Sequence, residues 1–358
     1  MQDIERKDTS PFLPEDEKKA NGKRLRDTIV RWIFFCIALV CASIIIFIAV
    51  FIVYKGLMPF IQDYDLGGGE VGKDSLYNFL FGTHWNQGGA NFSAGYLAVN
   101  TLFVTLLSLI LSVPISIMTA LLIGRVAPKP LADLFETGIQ LLASIPSVIY
   151  GLFGMGIVNP IIRDFASALG LQTSGGNSLL SGVIVLAMMS IPTMTMMSVT
   201  AIKSVDQNLI KASLAVGASK TQTNFKIVIK AAQSGIFAGI ILGIGRAVGE
   251  ATATQMVIGN AMSGPTFNPF DISATLTTQM LMGIGEAVSG SIGYDIRFSA
   301  GILLMIILFA IDIVLNKIKD TIHDNMTGQV HVSTFKKIIA TLRPFAMRIC
   351  SLGGKESD

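Results

Sequence analysis

Charge is scarce in this chain of 358 residues: Asp, Glu, Lys and Arg make up 14 % of it, against about 25 % in an ordinary soluble domain. That excludes a surface wetted on all sides, and with 51 % hydrophobic residues it points to a membrane. Cysteine and histidine are almost missing, at three each. Cys36 and Cys41 lie in the first apolar run and Cys350 near the C-terminus, which fits neither a disulfide framework nor a metal-ligand spacing. They read as small apolar filler. His84 next to Trp85 admits a ligand pair, but a tryptophan at the membrane interface is the simpler account. His323 and His331 stand apart, so no metal site is indicated. Also missing is G-x-x-x-x-G-K-[ST], the loop that cradles nucleotide phosphates. Ala218-Ser219-Lys220-Thr221 has no glycine before the lysine, and Gly22-Lys23, Gly72-Lys73 and Gly354-Lys355 lack the following Ser or Thr. The chain is therefore expected not to be an enzyme; if its work is driven by ATP, the motor is another chain. Finally, residues 1–29 are too polar for a cleaved leader, and the first apolar run is expected to stay as an anchor.

What is present is a set of long apolar runs. A spanning helix needs about 20 mostly apolar residues, and six runs qualify: 30–54, 95–123, 136–162, 178–202, 234–260 and 298–316. The expected fold class is all-α and integral to the membrane, with six transmembrane helices. Lys and Arg set its orientation. The N-terminal tail has eight, the 124–135 loop two, the 203–233 loop five and the tail from Lys317 seven, whereas the opposite side has only Lys55, Lys73, Arg163 and Arg297. Both termini and the 203–233 loop are accordingly expected in the cytoplasm. The organisation that follows is a basic tail over 1–29, a first helix and extracytoplasmic segment over 30–94, a core over 95–316 and a tail over 317–358. In the last tail, residues 331–352 alternate basic and apolar positions at helical spacing. That suits either the anionic inner leaflet or plain solvation.

The 203–233 loop reads as helix, break at Gly217, helix. Lys211-Ala212-Ser213, then Gly217, then Ile227 and Ile229-Lys230 fall in register with the EAA-x3-G-x9-I-x-L-P pattern of ABC importer permeases, which the loop resembles. Ala218 and Lys220 belong to the same corner. Two short helices meeting at a glycine can lie along the membrane and offer a tip to an ATPase. Lys211 stands where glutamate is usual and Lys230 where proline is usual. The first reverses a charge at the docking surface, so a compensating acid is expected on the partner. A plain basic loop is the other reading.

Within the fifth run, GIGRAVGEATATQMVIGN (243–260) holds two charges. At about 100° per residue, Gly235, Gly239, Gly243, Arg246, Glu250 and Ala253 fall within about 80° of one another, and aliphatic residues cover the rest. Small residues four apart let helices approach closely. Arg246 lies about 18 Å from Ser234 along the helix, near the middle of a core about 30 Å thick, where each charge costs about 2.5–3.5 kcal/mol on insertion scales. The i, i+4 spacing predicts an Arg246–Glu250 pair. Two readings stay open: a structural stitch, or an anion path in which the planar guanidinium donates two hydrogen bonds to an oxyanion while Glu250 keeps binding weak.

The same stretch resembles the GxGRAxGET signature of the phosphate-specific ABC importer permease family of the PstC type. LLASIPSVIYGLFG (141–154) is similar to its IPSVxYGLFG motif, 101–129 to the first helix of its core, and FGTHWNQGGANF (81–92) to an extracytoplasmic stretch in which Gln87 replaces the usual proline. The resemblance covers about residues 30–316. It implies a type I, MetI-like permease that carries inorganic phosphate by alternating access. The implied partners are a second, PstA-type permease, a PstB-type ATPase dimer holding ATP and magnesium, and a PstS-type phosphate-binding protein outside. No cofactor is implied in this chain itself. Arg246, Glu250, Ser144 and Ser147 are candidates for the path, with Pro146 kinking the third span; Asn100 and Thr101 are weaker ones. Remaining alternatives are an ion-gradient anion transporter, a sensor, and a sulfate or molybdate permease.

Overall fold

The computed structural model describes residues 14–65, 71–85 and 92–327, with side chains over 28–65, 72–85 and 92–321. The 331–352 reading, His323, His331 and Cys350 lie outside these limits.

Helix dominates because the apolar runs must satisfy every backbone N–H and C=O internally. The first helix, α1, is Pro14–Ile61, and a two-residue hairpin follows in which Tyr64–Asp65 pairs antiparallel with Val71–Gly72. After the short α2 (Leu76–Phe81) comes α3 (Gly95–Leu121), which a single π turn extends to Val126. The third apolar run is not one helix. It divides into α4 (Lys129–Ser144) and α5 (Ser147–Phe153), and only α5, continued by a π turn into α6 (Asn159–Ala168), is a candidate span. Proline disfavours helical backbone at the residue before it: Ile145 is extended (ψ 127°) and Pro146 begins α5 instead of kinking a continuous rod. The expected span over 136–162 is thus corrected to Ser147–Ala168.

The core of the bundle is α7 (Leu179–Lys203), against which both α3 and α11 (Gln233–Gly249) lie. Between α7 and α11 the chain forms α8 (Gln207–Ala215), a left-handed corner at Gly217 (φ +87°), α9 (Lys220–Gln222) and α10 (Ile229–Ala231). A π turn over Thr223–Val228 joins α9 and α10 into one helical run, Lys220–Ala231, which meets α11 at a bend of 67°. Asp206 caps α8 through the Asn208 N–H, Ser219 and Gln222 form a capping box at α9, and the Ser213 and Thr223 hydroxyls join the two limbs at 3.0 Å. Beyond α11 are the short α12 (Thr252–Val257) and α13 (Leu276–Leu281), then α14 (Ile292–Thr327). Among the described residues, five helices are long and apolar enough to cross a membrane, or six if the bent 220–249 pair counts as one span.

Two clusters fix the ends of the bundle. At one end Phe79, Trp85, Phe92, Tyr96 and Ile296 form an apolar core under the hairpin. Trp85 is 2 % exposed and stacks edge-on against Phe92, so it is a core residue of this segment and not an interface anchor. At the other end Ile123, Ala132, Ile202, Ile210 and Val228 bring together α4, α7 and the 203–233 loop, with Lys203 paired to Glu136 at 2.7 Å.

Candidate translocation site

The glycine face of α11 packs on α7 in a regular antiparallel ladder. A Cβ at Gly235 would meet that of Ala201 at 2.5 Å, one at Gly239 that of Met197 at 2.8 Å, and one at Gly243 the Met194 side chain. Arg246 is the next rung. Its Nη1 donates to Thr193 Oγ1 at 3.0 Å, and its other N–H groups bond to no described residue. Arg246 is half-buried, and on its open side a Cβ added at Gly245 or at Gly249 would meet nothing within 4 Å. The charge is also within electrostatic reach of the Tyr150 hydroxyl on α5.

The expected Arg246–Glu250 pair does not form. It needs helix through both residues, but α11 ends at Gly249 and Glu250 is extended (φ −75°, ψ 119°). That backbone swings the carboxylate onward, where Oε1 accepts the Ala253 N–H at 3.0 Å and caps α12, while the Glu250 carbonyl accepts from Thr277 Oγ1 at 2.9 Å. The fifth span therefore breaks at Glu250, one turn beyond Arg246, and does not run unbroken to residue 260. The break leaves the guanidinium with donors to spare, and it pins the acid between α12 and α13.

The IPSVIYGLFG stretch reaches the same place from α5. A Cβ at Gly151 would meet Met256 and Ala253, and one at Gly154 would meet Val257 and Val185, so both glycines exist to admit α12. Tyr150, Met189, Ala253 and Val257 share one apolar cluster. The Tyr150 hydroxyl donates to the Leu142 carbonyl at 2.8 Å and so spans the Pro146 break. Ser147 is half-buried in the first turn of α5, whereas Ser144 is exposed and spends its hydroxyl on the Leu141 carbonyl.

Asn100 and Thr101 are not brought to this cluster. Both are buried, at 0 % and 1 % exposed. Asn100 Oδ1 accepts the Thr266 N–H and Thr101 Oγ1 accepts the Leu276 N–H, so the two residues anchor the 260–276 loop. Two residues in contact with Arg246 and Glu250, Thr193 and Thr277, carry no signal in the sequence. Each is one threonine among many, and only the fold puts it against Arg246 or Glu250.

The 203–233 loop presents Lys211, Ala212 and Lys220 at its surface around the Gly217 corner, with Ser213 and Ala218 partly covered. Val216 at the tip is 84 % exposed, an apolar knob that sequence reasoning did not single out. Among the described residues, no three His, Cys, Asp or Glu side chains are placed to hold a metal ion.

Residues 112–326 match the family of binding-protein-dependent transport system inner membrane components. A probable ABC transporter permease of Bacillus subtilis, YqgH, is 33 % identical over 290 residues, covering 80 % of this chain and 89 % of the relative. A phosphate transport system permease protein PstC of Xylella fastidiosa is 27 % identical over 319 residues, covering 85 % and 93 %. A chain of a bacterial ABC transporter that imports the acidic polysaccharide alginate has the same fold, with a TM-score of 0.56 and 19 % identity over 83 % of this chain and 98 % of that one. The chain belongs to the family of binding-protein-dependent transport system inner membrane components, and it is a PstC-type permease subunit of an ABC importer.

Proposed function

We propose that this permease carries inorganic phosphate, and that Arg246 is its principal contact with the anion. The observation that carries the reading is the broken fifth span. About 20 Å along α11 from Gln233, a guanidinium held by one threonine keeps its remaining donors unspent, and Gly245 and Gly249 leave open space on one side of its helix. A planar cation with several N–H groups suits a tetrahedral oxyanion, since two parallel hydrogen bonds can form at once. Glu250 lies one helix break away with its carboxylate engaged at Ala253. Its negative charge then limits how tightly a divalent anion is held without closing off Arg246. Transit needs that weakness, because a site that binds too well does not release. The PstC name of relatives at 27 % identity supports phosphate over other oxyanions.

The rest of the transport cycle is assigned to other chains. In this reading both tails and the 203–233 loop face the cytoplasm, as the Lys and Arg distribution favours. Val216, Lys211 and Lys220 dock on a PstB-type ATPase dimer that binds ATP and magnesium. A PstA-type permease completes the path, and a PstS-type protein delivers phosphate at the opposite face. Closure of the ATPases moves α8–α10, and through the 67° bend it moves α11.

The test is uptake of labelled phosphate by phosphate-starved cells that lack the chain, carry it, or carry Arg246→Gln at equal membrane abundance. Uptake that needs the chain and is lost in Arg246→Gln is the expected result. Uptake that survives Arg246→Gln would make the arginine a structural stitch on Thr193. Uptake that ignores the chain would remove phosphate as substrate and bring sulfate and molybdate forward. Dependence on a proton gradient instead of ATP would overturn the assignment of the motor.

A further inference from the structure

Near its basic end α14 carries an acid that nothing in this chain calls for. Asp312 is exposed, and exposed apolar side chains flank it on both sides: Ile306 and Phe309 before it, Val314 and Ile318 after it. Lys317 and Lys319 mark where the apolar run ends, and Asp312 is five residues, or roughly 7.5 Å, inside Lys317. The carboxylate thus lies within the hydrocarbon. Other acids at the spans are used within the chain, Asp295 by Lys55 and Tyr64, Glu136 by Lys203 and Glu250 by the Ala253 N–H. Asp312 makes no hydrogen bond or ion pair with any described residue. It stands instead at one end of a groove of about 590 Å³ lined by Val53 of α1 and by Ile302, Met305, Phe309 and Asp312 of α14.

Charged side chains inside a membrane ordinarily face the bundle interior and pair there; this one faces outward from the α1–α14 pair. We propose that the groove is the seat of a membrane-spanning helix of another chain, and that this helix brings an arginine or lysine to Asp312. The chain's own cations do not serve. Lys317 lies about 140° round the helix from Asp312, and Lys319, on the same face, is roughly 10 Å further along. The two spans that line the groove offer a second copy no cation either, because α1 over 32–54 and α14 over 298–316 contain no Lys or Arg. A lipid amine sits at headgroup level, above the reach of a short aspartate. A partner's Lys or Arg has a stem long enough to bring its charge down to this depth.

The sign of one substitution tests the idea. The wild-type chain, Asp312→Leu and Ile306→Trp are produced in native membranes and extracted gently. The share of the chain in its larger complex is read on native gels beside its total amount, and thermal stability is read on the purified chain alone. If a partner cation meets Asp312, Asp312→Leu leaves the purified chain at least as stable as wild type yet lowers the assembled share about tenfold. Ile306→Trp, which fills the groove and keeps the acid, lowers the share as well. If the acid merely faces lipid, Asp312→Leu assembles as well as wild type or better, and the proposal is overturned. A third arm places the purified wild-type chain in vesicles with and without phosphatidylethanolamine. An Asp312-dependent gain in stability there assigns the acid to a lipid amine, and a larger complex that holds only copies of this chain assigns it to self-association. Either result overturns the partner helix.

Discussion

The most apolar helix of this protein is also its least buried. The most apolar stretch of α1 has a mean hydropathy of 3.3 and none of its residues is fully buried, whereas two thirds of the corresponding stretch of α7, at 1.8, is buried. In a soluble domain the order would be reversed. Lipid is as good a solvent for leucine as another leucine is, so burying an apolar side chain between helices gains little. What holds α3, α7 and α11 together is close fit. Ser108, Ser112 and Ser116 of α3 are at most 1 % exposed, and the glycines of α11 sit directly on α7. In α1, by contrast, Ile44, Ile45, Phe47 and Val50 are simply long enough and greasy enough to stand in a bilayer. Hydropathy thus locates a span without telling how much of it is core.

The largest break in that contrast is expected from Gly239→Leu. A Cβ there already meets Met197 Cβ at 2.8 Å and the Met194 carbonyl at 3.3 Å, and one of those is backbone that cannot turn aside. Overpacking costs roughly 1–3 kcal/mol and sometimes more, and the displaced helix carries Arg246. Loss of phosphate uptake, with a fall in the thermal midpoint of the purified chain, is the expected outcome. A variant that folds and transports normally would show that the α7–α11 seam has slack.

Next in size is a matched pair of truncations. Leu186 of α7 is 2 % exposed and packs with Val104, Val183 and Ile258, while Ile45 of α1 is 69 % exposed. Leu186→Ala leaves a cavity and is expected to cost about 2–3 kcal/mol. Ile45→Ala only trades lipid contact for lipid contact and should cost under about 0.5 kcal/mol. Equal losses in thermal unfolding would mean that α1 is covered in the assembled state.

A smaller effect separates chemistry from packing on α7 itself. Thr193→Val keeps the shape of the side chain and removes the hydroxyl that holds Arg246 Nη1. One hydrogen bond to a charged group is worth about 1.5 kcal/mol, so uptake should fall roughly tenfold while the thermal midpoint barely moves. Thr193→Ser, which restores the hydroxyl, should recover most of the uptake. A fall that serine does not recover would assign Thr193 to packing.

The sequence carried the spans well and the site unevenly, for physical reasons that differ by residue. The helix–glycine–helix form of the 203–233 loop was legible because Gly217 is left-handed and few residues other than glycine tolerate that backbone. The glycine stripe of α11 was legible because period and residue size both signal a close helix contact. The break at Glu250 was hidden. Nothing in GRAVGEATA stops a helix, and what stops it is a carboxylate that finds the Ala253 N–H and a carbonyl that finds Thr277, both set by the fold. The α4–α5 division was half legible: Pro146 was visible, but whether it kinks or ends a helix depends on Tyr150 reaching back to Leu142. That Asn100 and Thr101 anchor the 260–276 loop was not legible, because polar residues at the head of a span give no sign of the distant loop they hold.

A pH-dependent effect is expected where the lipid is absent, in the segment beyond Ile61. Asp74 is 3 % exposed, accepts the Ser75 N–H at 2.8 Å and the Phe92 N–H at 3.1 Å, and so ties 71–85 to Phe92 in the segment that enters α3. Burial pushes its carboxyl from 3.8 up to about 6, and the two backbone N–H groups and the Asn78 side chain pull the other way without prevailing. A group whose folded value lies above its unfolded one binds protons more tightly when folded. Stability is then highest below about 3.8, falls as pH rises through about 6, and is level above that. Hydrogen exchange of the 71–85 segment, corrected for the intrinsic pH dependence of exchange, should show protection declining from pH 4 to 6 and constant from 7 to 8. Asp74→Asn, which stays neutral at every pH, should flatten that decline. The same measurement on α7 should be flat throughout, because water does not reach it. A parallel decline in both regions would mean that the hairpin end and the lipid-embedded core unfold as one unit, and that the contrast between α1 and α7 reflects exposure alone and not independent stability.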